Sequence, residues 1–121
     1  MAIQPAVLHD SAGDGSVVTA VWVLTTTDTG APLSVAAFAD KSVQIGVTGD
    51  TIGAGTIVIE GSNEGTTWSN LTNNQGALLS FTAFGIAQVQ EHILYIRPRA
   101  SVAVTSVTCL ITSRRATPMR T

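Results

Sequence analysis

Few side chains in this sequence are capable of acid–base or nucleophilic chemistry. The 121 residues include eight carboxylates, two histidines, one cysteine, one tyrosine and one lysine. A hydrolytic triad needs its serine, histidine and aspartate to converge in space. The run His9-Asp10-Ser11 holds these residue types, but adjacent residues of a strand point to opposite faces, so we reject a triad. His92 beside Glu91 fails for the same reason, and we therefore predict a protein that is not an enzyme and has no catalytic residue.

Most of the acidic residues occupy positions that are typical of turns. A short acidic side chain beside Gly or Thr accepts hydrogen bonds from nearby backbone amides and so stabilises a turn. This interpretation applies to Asp10, Asp14, Asp28, Asp50 and Glu64. Asp28 and Asp50 are also oxygen donors of the kind that calcium prefers, but the alternating Asp/Asn pattern and bidentate Glu of a calcium loop are missing. We predict no metal site.

Neither the glycine-rich segment nor the thiol predicts a cofactor. Residues 49–55 (GDTIGAG) lack the Lys-Ser/Thr ending of a phosphate-binding loop, and no helix is predicted to follow them. Cys109 has no second cysteine with which to form a disulfide, and a free cysteine is most often buried. No cofactor is predicted.

Charged side chains are scarce over the whole chain. They make up 12% of the residues, about half of the typical ~25%. The net charge of −2 argues against nucleic acid as the main partner, because phosphate binding needs clustered Lys and Arg. Charge normally protects exposed sheet edges. Two interpretations stay open: partners cover much of this surface, or this is an ordinary Thr-rich β-protein.

The elements that must position these residues are strands. Residues 17–25 are dense in β-branched and aromatic residues and have apolar side chains on both faces. This pattern predicts a strand that is covered by the core on one side and by a partner on the other. In residues 42–48 apolar side chains occur at every second position, which predicts a strand with one face toward the core and the other toward solvent. Residues 58–68 predict a hairpin with its turn at Asn63-Glu64-Gly65. The last long strand is predicted over 102–113, with three residues facing inward: Val107, Cys109 and Ile111.

The spacing of these segments predicts an all-β fold. Seven to eight strands at intervals of roughly ten residues, separated by Gly, Asn, Asp and Pro, are typical of an antiparallel β-sandwich with no substantial helix. Whether its strand order is jelly-roll-like or immunoglobulin-like stays open. The length fits one domain. We predict an N-terminal arm over residues 1–16, the sandwich over 17–113 and a basic C-terminal tail over 114–121.

The aromatic residues allow a second kind of site. Trp22, Trp68 and Tyr95 are able to stack on sugar rings. Because the chain has so few aromatic residues, however, we expect them to be used in the core, with Trp68 anchoring the hairpin. The N-terminus lacks the basic start and continuous apolar run of a secretory signal. No apolar run reaches the ~18 residues of a membrane span, so no membrane partner is predicted.

Five segments carry a family resemblance: VLTTTDTGAPL (23–33), ADKSVQI (39–45), IEGSNEGTTW (59–68), TNNQGALLSF (72–81) and YIRPR (95–99). In this order they resemble small virion proteins of tailed bacteriophages, which are encoded near the major capsid protein and decorate or cement the head. The similarity spans about residues 17–114. The order of the segments is more specific than any one of them.

This resemblance implies a structural role on the exterior of the capsid. It implies a homo-oligomer, a dimer or trimer, that binds at many equivalent positions of the virion and bridges neighbouring major capsid protein subunits. It does not transfer contact residues. Two alternatives stay open: a tail or head-to-tail structural protein, and a carbohydrate-binding surface module of the virion.

Partner-binding residues are predicted from the position of the basic side chains. Arg97 and Arg99 flank Pro98 at a predicted strand end, and three further arginines lie in the predicted tail. Chain ends are common places for a segment that orders on binding. The predicted partner-binding residues are Arg97, Arg99, Arg114, Arg115 and Arg120.

Overall fold

Residues 2–115, the part of the chain that the computed structural model describes, contain strands and turns but no helix. In chain order the strands are β1 (Ile3–Gln4), β2 (Val7–Asp10), β3 (Val17–Thr26), β4 (Thr29–Gly30), β5 (Leu33–Ser34), β6 (Phe38–Ile45), β7 (Thr56–Ser62), β8 (Ser69–Asn70), β9 (Ser80–Phe81), β10 (Gly85–Gln88), β11 (Tyr95–Val102) and β12 (Val104–Arg115). Seven of them have four or more residues, and five have two. The prediction of an all-β sandwich is confirmed.

The strands form two sheets whose pairing decides the topology. Sheet 1 has the order β1-β4-β11-β7-β8, with β5 also on β11 and β9 also on β7, and sheet 2 has the order β10-β6-β12-β3-β2. Four pairs are nested along the chain, β3 with β12, β4 with β11, β6 with β10 and β7 with β8. This is one long hairpin wound into two layers, which is jelly-roll order. Of the two strand orders left open by the sequence, the structure has this one.

The core lies between the two sheets and is built by alternation. Ala20, Trp22 and Leu24 of β3 are fully or almost fully buried, as are the predicted inward residues of β12, Val107, Cys109 and Ile111. Burying a side chain of this size stabilises the fold by roughly 1.5–3 kcal/mol. The indole Nε1 of Trp22 donates to the carbonyl of Ala31 at 3.0 Å, so its polar atom is satisfied. Trp22 is a core residue, as expected.

One strand boundary differs from the prediction because of a glycine. The pattern over residues 42–48 predicts a strand there, whereas β6 starts at Phe38 and ends at Ile45. Gly46 has a φ of +91°, a conformation that side chains rarely adopt, and the ring of Phe84 lies where its Cβ would be. The glycine therefore ends β6 and gives Phe84 a place to pack.

The N-terminal segment, predicted as an arm, is docked on the sandwich. β1 pairs with β4 in parallel, and β2 pairs with β3 at the edge of sheet 2. The buried carboxylate of Asp28 accepts hydrogen bonds from the amide of Ala2 at 3.2 Å and from Gln4 Nε2 at 2.7 Å. These bonds hold β1 in place, so residues 2–10 are part of the two sheets and not a free extension.

The C-terminal strand also continues further than predicted. β12 includes Arg114 and Arg115, which were expected in the basic tail. The amide of Arg115 donates to the carbonyl of Ser16 at 2.8 Å, so the backbone ladder extends to this residue. The remaining tail residues 116–121, among them Arg120, lie outside the described residues.

Candidate interaction surfaces

The carboxylates predicted for turns do bond to backbone amides. Asp10 Oδ1 accepts from the amides of Gly13 and Gly15, both at 3.0 Å. Asp50 Oδ2 accepts from the amides of Val47 at 3.0 Å and Thr108 at 2.7 Å, which ties a turn to β12. These side chains act in the scaffold.

The described residues contain no cluster suited to a metal. No group of three or more His, Cys, Asp and Glu side chains in residues 2–115 is arranged to hold an ion. Cys109 is buried, and desolvation raises the pKa of its thiol well above the ordinary value. A thiol in this state is a poor nucleophile and a poor ligand.

Glu64 organises the turn that follows β7. Its carboxylate accepts from the amide of Thr66 at 2.9 Å, from the hydroxyl of Thr66, from the amide of Thr67, and from Ser62 Oγ at 3.2 Å. The hydroxyl and amide donors of Thr66 and Thr67 lower the pKa of Glu64 to about 2. The turn is where the sequence predicts it, and it delivers Trp68 to the outer face of sheet 1.

On that outer face the register brings opposite charges together. Arg97 lies opposite Glu60 and Arg99 opposite Val58, while the alternate residues Ile57, Ile59 and Ile96 face the core. Arg97 Nε bonds to Glu60 Oε1 at 3.0 Å, and Arg99 Nε bonds to Glu60 Oε2 at 2.9 Å. Side-chain exposure is 7% for Glu60, 22% for Arg97 and 36% for Arg99. We call Glu60, Arg97, Arg99 and Trp68 the arginine site.

Trp68 is part of this surface and not of the core. It is half-buried, and the guanidinium carbon of Arg97 lies 4.1 Å from the centroid of its ring. This distance is well within the range of cation–π attraction. Tyr95, on the same face, is also half-buried. The expectation that Trp68 is a core anchor is therefore wrong, because the turn at Glu64 turns the ring toward solvent and Arg97.

The outer face of sheet 2 has a different composition. The register aligns one residue from each strand in a row that we call the apolar row: Val7, Val21, Leu110, Gln44 and Ile86. A second row beside it is polar but without Asp, Glu, Lys or Arg: His9, Thr19, Thr112, Ser42 and Gln88. Ile86 is the most exposed of the large apolar residues described, at 73%. The centre of this face is broad and uncharged.

Within residues 2–115, charged side chains of this face lie only at its margin. A third row contains Val17, Arg114 and Asp40, of which the last two are exposed. Arg115 Nη2 donates to the carbonyl of Gly15 at 3.4 Å, and its guanidinium lies 5.9 Å from the ring of Phe38. A depression of about 520 Å³ lies beside this row and reaches the second row and β10.

The predicted partner-binding arginines therefore do not form one cluster. Arg97 and Arg99 lie on sheet 1, Arg114 and Arg115 lie at the end of β12 in sheet 2, and Arg120 is outside the described residues. That these residues bind partners stays a prediction. Sequence reasoning missed two residues of these surfaces. Glu60 is one, and its outward position on β7 follows from the alternation with Ile57 and Ile59. Ile86 is the other, and it lies on the short edge strand β10.

Comparison with known proteins shows the fold. No protein-family model and no curated protein sequence matches this chain. The SPBc2 prophage-derived protein YomS is similar in structure, with a TM-score of 0.62 and 14% identity over 80% of this chain and 93% of that one. A recombinant oxalate oxidase in complex with glycolate has a TM-score of 0.53 and 11% identity over 95% of this chain and 52% of that one. At these identities the likeness establishes the two-sheet fold and no activity.

None of the residues from 2 to 115 belongs to a helix of the length and hydropathy needed to cross a bilayer.

Proposed function

We propose that this protein is a structural component of a bacteriophage particle, which decorates and cements the capsid. In this proposal the outer face of sheet 2 binds across neighbouring major capsid protein subunits on the capsid exterior. The observation that carries it is the uncharged face with its apolar row. The resemblance of the five sequence segments to head decoration proteins supports it, and so does the structural likeness to a prophage-derived protein.

The proposed mechanism is energetic. Removing apolar surface from water stabilises a contact by about 25 cal/mol per Å², and the apolar row supplies such surface without charges that must be desolvated. One copy binds weakly, but a homo-oligomer that occupies many equivalent positions adds its contacts through multivalency. The sum opposes separation of the subunits under internal DNA pressure.

The edge strands of sheet 2 also have backbone N–H and C=O groups that are able to form hydrogen bonds with a partner. β2 and β10 are its edge strands, and β10 (GIAQ) contains neither the Pro nor the charged residue that usually blocks edge pairing. A neighbouring strand is able to pair with such an edge, and Ile86 then supplies an apolar contact beside the new bonds.

Copy number in purified virions tests the proposal. Quantitative mass spectrometry of particles is expected to find this protein in numbers comparable to the major capsid protein. A handful of copies would favour the tail or head-to-tail role, and absence from the particle would exclude a virion role altogether.

A matched pair of variants tests the face. Ile86→Asp places a charge in the apolar row, whereas Leu78→Asp places one on an exposed residue outside sheet 2. We expect Ile86→Asp to reduce co-sedimentation with capsids at least about tenfold, while Leu78→Asp binds as the wild type does. Equal binding by both variants would exclude this face.

A carbohydrate-binding module is the second candidate, favoured by the half-buried Trp68 and Tyr95 on the outer face of sheet 1. Because Trp22 is fully buried, a change of tryptophan fluorescence on addition of glycans reports on Trp68. Saturable quenching that is lost in Trp68→Phe would support this candidate. The capsid role predicts no such quenching.

A further inference from the structure

The arginine site on sheet 1 has donors that the protein itself does not use. Both guanidiniums bond to Glu60 through Nε, and among residues 2–115 neither Arg97 nor Arg99 makes a further hydrogen bond through its Nη groups. An Arg guanidinium has five N–H donors, so each side chain keeps its terminal fork for another group.

The site is also pre-organised. Glu60 is nearly buried and bonds to both arginines, and the ring of Trp68 supports Arg97 from the side. A side chain that is already held loses less conformational entropy when it binds a ligand. Two guanidiniums around one carboxylate leave a local charge of +1, in a chain whose net charge is −2. The site therefore attracts an anion of low charge.

The spacing of the arginines indicates the shape of that anion. Arg97 and Arg99 are two residues apart on β11 and point to the same face, so their Cα atoms are separated by roughly 6–7 Å. Carboxylates two residues apart on an extended chain have the same spacing. Carboxylate oxygens also match the planar fork of a guanidinium.

We propose that Arg97 and Arg99 bind an extended acidic segment of a neighbouring protein, in which two carboxylates lie two residues apart. The terminal forks of the arginines receive the carboxylates, and Trp68 and Tyr95 flank the segment. The site lies on the sheet opposite the apolar row and does not depend on the function proposed for that row. A molecule bound through sheet 2 still presents the arginine site outward.

Peptide titration followed by NMR tests the site. The probe is the acetylated, amidated peptide Thr-Glu-Thr-Glu-Thr, and its matched control is Thr-Gln-Thr-Gln-Thr. We expect the acidic peptide to shift the indole signal of Trp68 and the Nε signals of Arg97 and Arg99, to bind at least about tenfold more tightly than the control, and to weaken as salt is added. Equal binding of both peptides, or shifts confined to sheet 2, would overturn the proposal.

Lysine variants separate the contribution of the planar guanidinium group to peptide affinity from that of the positive charge. Arg97→Lys/Arg99→Lys keeps both charges but removes the planar forks, and Arg114→Lys/Arg115→Lys is the matched control on sheet 2. We expect at least about a fivefold loss of peptide affinity in the first and no change in the second. If the first double variant melts early, Arg99→Lys alone replaces it, because Arg99 is the more exposed of the two. Unchanged affinity in a folded variant overturns the role of the forks.

Two further ligands identify the source of the carboxylates. Inorganic phosphate that binds as tightly as the acidic peptide would show a general anion site, and polygalacturonate that binds more tightly per carboxylate would show an acidic glycan site. Either result overturns the assignment to a protein segment. Preference for the peptide over both supports it.

Discussion

The two outer faces of this sandwich are built by the same alternation of strand residues but differ in chemistry. On sheet 1, the outward positions hold two arginines, a glutamate, a tryptophan and a tyrosine, whose bonds have definite directions. On sheet 2, the outward positions hold a row of mostly apolar residues and a row of Thr, Ser, Gln and His. The first face is suited to a particular chemical group, and the second to a broad surface of complementary shape.

The two sheets also differ in how they hold a buried charge. Both carboxylate oxygens of Glu60 on β7 have an arginine partner. Lys41 on β6 is almost fully buried, and its Nζ has no hydrogen-bond partner within residues 2–115. Ser113 lies opposite Lys41 on β12, and its Oγ also has no partner among these residues. Removing one member of a buried ion pair leaves its partners uncompensated, whereas removing an unpaired buried charge relieves a desolvation cost. Replacing Glu60 and replacing Lys41 should therefore change the free energy of unfolding in opposite directions.

The largest effect is expected from Glu60→Ala. The change leaves two partly buried guanidiniums without their acceptor, which we expect to lower the free energy of unfolding by about 2–3 kcal/mol, less than for a fully buried pair because the arginines are partly exposed. Urea denaturation measures it. Ser42→Ala on the outer face of sheet 2 is the control, with an expected change within about 0.5 kcal/mol, because Ser42 is exposed. Equal losses in both variants would remove the distinction between the faces.

Lys41→Met is expected to act in the opposite direction. Methionine fills the space of the aliphatic stem without an unpaired ammonium, so we expect a gain of about 1–2 kcal/mol in the free energy of unfolding. A loss of stability would show that Lys41 has a favourable partner.

The pH dependence of stability sharpens this prediction. Burial lowers the pKa of Lys41, while Asp40 and Glu91 act against this. The unfolded chain therefore keeps its proton to higher pH than the folded protein, and this lysine makes stability rise as pH rises toward 10.5. Lys41→Met removes this contribution, so the stability gain of the variant over the wild type should shrink as pH rises from 8 to 10.5, which urea denaturation of both proteins would measure.

A smaller effect is expected at the turn that places Trp68. The pKa of Glu64 is about 2 in the folded protein against an ordinary 4.5, so its contribution to stability is complete above pH 4.5 and is lost as pH falls toward 2. We expect Glu64→Gln to flatten the stability profile over this window. Trp68 fluorescence should change over the same range in the wild type alone, and an identical profile for both proteins would contradict the proposed role of Glu64.

The smallest effect on stability is expected for Ile86→Asp. The side chain is 73% exposed, so the free energy of unfolding should change by no more than about 0.5 kcal/mol in thermal or urea denaturation. A much larger loss would show that Ile86 stabilises the fold itself, and the loss of capsid binding expected for this variant would then have no specific meaning.

The local sequence pattern was sufficient to predict the strands and the direction of their side chains, but not which residues of other strands lie beside them. The alternation of β3 and β12 correctly predicts that Trp22, Cys109 and Ile111 face inward, since side-chain direction follows from the period of a strand. The sequence predicts only part of the arginine site, because the position of the basic side chains points to Arg97 and Arg99 but not to Glu60. Its pairing with residues 37 and 39 positions away depends on the register of β7 and β11.

The sequence by itself determined the all-β class, most of the long strands, the turn carboxylates and the scarcity of catalytic groups, because each follows from residue type and short-range spacing. Only the tertiary structure decided the jelly-roll order, the docking of β1 and β2, the separation of the arginines onto two sheets and the place of Trp68 beside Arg97. These depend on pairs such as Val18 with Ser113, which lie far apart along the chain. No local period specifies such a pair, because the free energy that selects it comes from the packing of the whole sandwich.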